Sequence, residues 1–263
     1  MFLEEFFADG PEARPCLNCQ EDRRLDFEIR MAFQPIVDAR TRSIYGYEAL
    51  VRTAEGGGAA EVLARVSPEL LYRFDQTCRV KAISTAAKLG LKERLSVNFF
   101  PNAVYQAATC IRLTLLAAER CGFPPENLIF EAAESEEVTD QAHVSDIFND
   151  YKSRGFLTAI DDFGAGYAGL SALAKFQPDL IKLDMNLIRG IDGDPVRRSI
   201  ISAVCTMARE LGCGIIAEGV ETKEEYKALS DMGIALFQGF LFGKPALERI
   251  EPVSEAVWDA LAS

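Results

Sequence analysis

Histidine is nearly absent from this chain of 263 residues: there is one, His143. A single imidazole in a polar helical stretch with no partner motif argues against a Ser–His or Cys–His nucleophile, and His143 is expected at the surface. Long apolar runs are missing too. None reaches the length of about 18 residues that a membrane span needs, and residues 1–30 are charged and proline-bearing, unlike a signal peptide. Positive charge is scarce, with 28 Lys and Arg against 40 Asp and Glu and a net charge of −12. That field repels a long nucleic acid, and a small phosphorylated ligand would need cations or a local Lys/Arg cluster. Cys16 and Cys19 form a CxxC, but no second CxxC follows, so the pair reads as part of a leader rather than half of a zinc site. The seven cysteines, odd in number and mostly inside apolar helical stretches, are expected as reduced thiols in a cytoplasm.

What is present is a hydrophobic content of 49%, enough for one sizeable core. A leader over 1–27 is expected to precede one domain over 28–263. Strands are expected at Ala32–Val37, Ile44–Arg52, Leu95–Phe100, Leu128–Ala133, Leu157–Asp161, Leu180–Asp184, Gly214–Glu218 and Ala235–Phe240. The first two are separated by about six polar residues, too few for a parallel crossover, so they should be antiparallel. Gly56-Gly57-Gly58 reads as a mobile loop. Helices are expected from Ser67 to about Leu89, Ala103 to Arg120, Val138 to Arg154, Leu170 to Phe176, Pro195 to Leu211, Lys223 to Met232 and Ser254 to Leu261, several with a glycine stop. The economical solution is a TIM-like (β/α)8 barrel with one antiparallel strand near the N-terminus.

The stretch from Thr158 to Gly166 is central. A strand ends in Asp161-Asp162, and Gly164 and Gly166 follow. Adjacent strand residues point to opposite faces, so both acids serve one site only if the chain leaves the strand between them, a freedom the glycines would supply. On this stretch alone, an Asp-capped turn is an equal reading. The other strand ends decide. Glu48, Asn98, Glu131, Asp161, Lys182, Glu218 and Gln238 lie in or at the end of seven different expected strands, where barrels build their sites. Four acids brought together would repel one another, and divalent ions relieve that. An all-oxygen ligand set without His or Cys points to Mg²⁺ or Mn²⁺.

The chain then resembles the EAL-domain cyclic di-GMP phosphodiesterases, over about residues 28–250. Tyr47-Glu48-Ala49-Leu50-Val51-Arg52 carries the signature. Gln34-Pro35-Ile36-Val37, Ser96-Val97-Asn98, Glu131-Ala132-Ala133-Glu134, Asp161-Asp162-Phe163-Gly164, Lys182-Leu183-Asp184, Glu218-Gly219-Val220-Glu221 and Gln238 through Pro245 follow in order. The resemblance implies a metal-dependent opening of cyclic di-GMP to the linear dinucleotide by two divalent cations. Glu48, Asn98, Glu131 and Asp161 would hold the first; Asp161, Asp162 and Glu218 the second. Lys182, with Glu218 and Glu221, would form the catalytic set, Lys182 hydrogen-bonding the attacking water and losing proton affinity beside the cations. Gln34, Arg52, Gln238 and Pro245 would contact the nucleotide. Asp184 and Glu221 would buttress the ligands, and Glu134 would steady the loop after Asp162, which would couple metal binding to a homodimer.

Departures from the pattern are Thr53, Ala132-Ala133, Ala165 and Ala168-Gly169. None removes a ligand, and those at 165 and 168–169 bear on rate and metal affinity. The segments Phe74 to Arg79 and Ser96 to Asn102 are similar to the EAL part attached to blue-light-sensing flavin domains, although the leader is too short to build such a sensor. Some relatives of that kind have given up catalysis and bind other proteins. A cyclic di-GMP-binding or protein-docking module with an unidentified protein partner is therefore the alternative.

Overall fold

The structure, a computed structural model, describes residues 25–104, 107–133, 141–166 and 169–262. Residues 1–24 of the expected leader, with Cys16 and Cys19, and also Glu134 and Ala168, lie outside the described residues; of the leader's last three residues, Phe27 is buried in the core and Leu25 packs against it. The strands are β1 (Ile29–Asp38), β2 (Ser43–Thr53), β3 (Arg94–Asn98), β4 (Leu128–Ala133), β5 (Leu157–Phe163), β6 (Leu180–Leu183), β7 (Gly214–Ala217), β8 (Leu236–Gln238) and β9 (Ala246–Leu247). The helices are α1 (Ala59–Leu63), α2 (Leu71–Lys88), α3 (Ala107–Cys110), α4 (Arg112–Cys121), α5 (Gln141–Ser153), α6 (Gly169–Leu173), α7 (Met185–Ile188), α8 (Pro195–Leu211), α9 (Lys223–Asp231) and α10 (Glu255–Ala262).

β2 to β8 pair in parallel order, and β1 closes the ring by lying antiparallel to both β2 and β8. This is the (β/α)8 barrel with one reversed strand; the short β9 adds to β1, pairing Ala32 with Leu247. The register sets Gln34 opposite Glu48 and Ile36 opposite Gln238.

Strand alternation explains where the site sits. Ile36, Ile129, Ala159, Leu180, Ile216 and Leu236 form one buried apolar cluster. Side chains two residues apart share a face. Two positions further toward the parallel strands' C-terminal ends stand Glu131, Asp161, Lys182, Glu218 and Gln238, and two positions back on reversed β1 stands Gln34. A polar layer therefore rests on an apolar one. Outside the ring, two larger clusters join strands to helices, with Phe130 against Tyr151 and Phe156 on one side and Phe237 and Phe242 toward Trp258 on the other.

Helix ends follow their local chemistry. The Asp194 carboxylate accepts the Val196 and Arg197 N–H groups at the start of α8, and Gly212 ends it in the left-handed region. Thr222 and Glu225 cap α9 reciprocally.

Four expectations need correction. The helix expected from Ala103 to Arg120 is broken: Pro101–Ala103 makes one tight turn, Val104 is extended, and α3 and α4 follow. The glycine run expected to be mobile is hydrogen-bonded, Gly57 N–H donating to Thr53 Oγ1 and Gly58 N–H to Glu61 Oε1 as α1 begins. His143 is half-buried, its Nε2 against the Val104 carbonyl. β6 stops at Leu183, because Asp184 instead caps α7.

Candidate functional site

Lys182 is the centre of the polar layer. Its side chain is fully buried, and Nζ lies 2.8 Å from Asp161 Oδ1, 2.8 Å from Glu218 Oε1, 2.9 Å from Glu131 Oε2 and 3.4 Å from Glu48 Oε2. These acids come from β2, β4, β5 and the residue after β7. Burial pulls the ammonium's pKa down, but the four carboxylates outweigh it and hold it well above its usual value.

The same crowding acts on the acids. Burial, reinforced by Glu48 and Asp161 and opposed by Lys182, pushes Glu131 up to about 8. Burial also drives Glu218 well above the usual carboxylate range. For Asp162, burial and then the Asp161 and Asp184 charges push the value up to about 6.

Asp161 and Asp162 do reach one site, by a route the sequence did not announce. Asp162 itself takes the left-handed conformation, φ 54°, at an irregularity in β5 between Ile160 and Phe163. A non-glycine residue there is uncommon and sits at functional positions more often than elsewhere. Carboxylate oxygens of Glu48, Glu131 and Asp161 lie within 4.8 Å of one another, as do those of Asp161, Asp162 and Glu218, so either group could hold a metal ion. Asp161 belongs to both groups.

Amides border the acids. Asn98 Nδ2 donates to Glu48 Oε1 at 3.0 Å, which leaves its Oδ1 as the atom that could accept or ligate. Gln238 Nε2 donates to Glu48 Oε2 at 2.6 Å and to Gln34 Oε1 at 3.2 Å, and Gln34 Nε2 donates to the Gly243 carbonyl. Asp184 lies at the same mouth and accepts from the Asn186 N–H and Nδ2. Glu221 is partly exposed and pairs with Arg189 at 2.9 Å.

These groups open into a cleft of about 380 Å³. Its walls include Leu50, Met185 and Gly219, to which the sequence had assigned no role, and Gly239 and Phe240, which belong to the segment around Gln238 expected at the nucleotide. Phe240 and Met185 are exposed, and Lys244 Nζ lies 5.2 Å from the Phe240 ring centre. Phe240 could have been suspected from its place two residues after Gln238; Met185 gave no signal. Arg52 and Pro245 do not line this cleft. Arg52 shares the strand face of Glu48 and donates to the Val51 carbonyl, while Pro245 leads into β9. Glu134 lies outside the described residues.

Comparison with known proteins agrees with this geometry. The EAL domain family matches residues 20–245. The blue light- and temperature-regulated antirepressor BluF of Escherichia coli is 33% identical over 224 residues, 85% of this chain and 56% of its own length. The probable cyclic di-GMP phosphodiesterase PdeG of E. coli is 30% identical, over 83% of this chain and 45% of its own. The chain thus spans about half the length of these curated relatives. Among solved structures, a standalone versatile EAL protein from Vibrio cholerae, bound to c-di-GMP, is 50% identical with a TM-score of 0.86. The match covers 89% of this chain and 99% of that one. The manganese and cyclic di-GMP complex of Klebsiella pneumoniae BlrP1 is 33% identical with a TM-score of 0.81, over 96% of this chain and 67% of that one; a calcium complex matches equally well. A polar layer on a barrel with one reversed strand, matched over most of its length by these proteins, places this chain in the EAL domain family.

Proposed function

We propose that this chain is a cyclic di-GMP phosphodiesterase that opens the cyclic dinucleotide to its linear form with two divalent cations, Mg²⁺ or Mn²⁺. The observation that carries the reading is the pair of three-carboxylate groups hinged on Asp161 at the cleft floor. The donors suit hard cations: they are oxygens, without thiol or imidazole. Four carboxylates surround one ammonium, with Asp162 beside Asp161 and Glu218, and the buried Glu131 Oε1 has no hydrogen-bond partner among the described residues. Glu48, Glu131 and Asp161, joined by Asn98, would hold one cation; Asp161, Asp162 and Glu218 would hold the other. Bound there, the pair would supply charge stabilisation at the phosphodiester oxygens and a water of lowered pKa.

The chain's own residues do the remaining work. Lys182, fixed between Glu131, Asp161 and Glu218, donates a hydrogen bond to the attacking water and holds its oxygen toward phosphorus. Gln34 and Gln238 offer amides to the nucleotide, while Leu50, Met185 and Phe240 give purine rings an apolar wall. Asp184 and Glu221 keep the mouth of the cleft in shape. In the reaction the water oxygen bonds to phosphorus, one ester P–O bond breaks, and the departing ribose oxygen takes up a proton. Solved relatives holding the nucleotide with manganese support both substrate and metal.

Purified protein should convert cyclic di-GMP to the linear product with Mg²⁺ or Mn²⁺, and Glu48→Ala should stay folded without turnover. Absence of product from folded wild type with both metals would end this reading. A second reading, a protein-docking module without turnover, is favoured by the likeness to BluF, an antirepressor. It expects cyclic di-GMP to be left intact in the same assay.

A further inference from the structure

Two loops form one wall of the cleft. The first leaves β6 through Asp184 and α7; the second leaves β7 through Glu218, Gly219 and Glu221. They touch closely, since Gly219 lies in the left-handed region at φ 65° and a Cβ there would come within 2.5 Å of Met185 Cβ. Arg189, just after α7, joins them. Its Nη2 donates to the Gly219 carbonyl at 3.1 Å and lies 2.9 Å from Glu221 Oε1. Its Nη1 reaches both Glu225 oxygens, at 3.2 and 3.3 Å. The guanidinium therefore grips the carbonyl next to Glu218 and the Glu221 carboxylate at once, which a planar fork of donors does and a point charge does not.

Glu225 anchors the other end. It is buried, and it accepts the backbone N–H groups of Gly190, Glu221 and Thr222. Arg197 Nη1 donates to the Arg189 carbonyl, holding the arginine's own backbone from α8. Loss of the Arg189 side chain would leave Glu225 its three backbone donors, so the start of α9 would persist. What would be lost is the donor to the Gly219 carbonyl and the partner of the Glu221 carboxylate.

We propose that Arg189 is a positioning residue for the cation-binding acids, acting on Glu218 through the Gly219 carbonyl and on Glu221 directly. The proposal rests on the two-cation reading above. Groups that orient ligands from behind change metal affinity by about 10–100-fold when removed. The test is manganese binding by the purified full chain, read from the free Mn²⁺ signal in electron paramagnetic resonance. Wild type, Glu48→Ala, Arg189→Ala and Arg189→Lys are compared, and cyclic di-GMP binding in EDTA is measured alongside.

Arg189→Ala should weaken manganese binding about tenfold or more and lower kcat at saturating manganese, while metal-free nucleotide affinity and the melting temperature change little. Arg189→Lys should fall between, since lysine reaches one acceptor at a time. Because the native side chain is 37% exposed, added guanidinium ion should restore manganese binding to Arg189→Ala. Wild-type manganese affinity in a folded Arg189→Ala or Arg189→Lys overturns the proposal. So does a fall in metal-free nucleotide affinity equal to the fall in manganese affinity, which would make Arg189 a general prop of the wall. If Arg189→Ala does not fold, Arg189→Lys and its manganese affinity decide. Failure of wild type itself to bind manganese, or full binding by Glu48→Ala, would instead remove the two-cation reading.

Discussion

Replacing Lys182 with methionine should make the protein depend on divalent cations for its fold. The perturbation removes the ammonium from among Asp161, Glu218, Glu131 and Glu48, all within 3.4 Å of it, and leaves a chain of similar length. Breaking a buried ion pair from one side costs about 3–5 kcal/mol, and here four acids lose the same partner. For a domain near this size, each kcal/mol moves Tm by about 2–4 °C, so a fall of roughly 6–20 °C is expected in EDTA. Proton uptake by the abandoned carboxylates offsets part of it, so the fall should be larger at pH 8 than at pH 6. A cation present at 100 times its Kd stabilises by about 2.7 kcal/mol, and the variant's uncompensated acids should bind it more tightly than the wild type's do. Thermal melts in EDTA and with Mn²⁺, on both proteins, make the comparison. Equal melting temperatures in EDTA, or a manganese increment no greater in the variant, would refute the view that Lys182 neutralises this cluster.

Three further outcomes can be measured. Asp75→Ala should destabilise by about 3–5 kcal/mol in denaturant titration, because Arg79 is fully buried against Asp75 and the Phe100 N–H loses its acceptor at 3.0 Å. In EDTA, stability should decline as pH rises from 4.5 to about 8: Glu131 is held up from the ordinary 4.5 to about 8, so the folded state keeps a proton the unfolded chain has released. Melts across that window should show the slope, and Glu131→Gln should reduce it, leaving the part due to Glu218 and Asp162. Calcium should occupy the carboxylates yet suppress hydrolysis measured with Mg²⁺, because it prefers oxygens at about 2.3–2.6 Å rather than about 2.0–2.1 Å and the acids stand on rigid strand ends; turnover with calcium alone equal to that with Mg²⁺ would contradict this.

The barrel was legible because its signals are local and repeated. Barrel strands 3 to 11 residues long with glycine-stopped helices between them fix the alternation, and the short link from β1 to β2 fixes the reversed strand. The convergence of Glu48, Glu131, Asp161, Lys182, Glu218 and Gln238 followed from their places at strand ends. What failed to show depends on tertiary neighbours. Nothing at Asp162 says that it, as well as Gly164, takes a positive φ. The break at Val104 lies inside a helix-like pattern. The Thr222–Glu225 spacing is a readable capping box, but that Glu225 also holds Gly190 and Arg189 from another loop is visible only once β6 and β7 lie side by side.

The apolar layer under the acids has a part in the chemistry. Ile36, Ile129, Ala159, Leu180, Ile216 and Leu236 fill the barrel directly beneath the polar layer, so the carboxylates find no water on that side. Glu131 and Lys182 are fully buried, whereas Asp161, Asp162 and Glu218 keep some exposure. The need for positive charge is therefore greatest at the floor and is relieved only from the cleft above. An ammonium on β6 meets part of it from within the fold. The remaining excess, five carboxylates against one lysine, is a standing electrostatic cost that cations arriving through the cleft reduce, and the protein holds that cost because the barrel's closed hydrogen-bond ring keeps the strand ends from spreading.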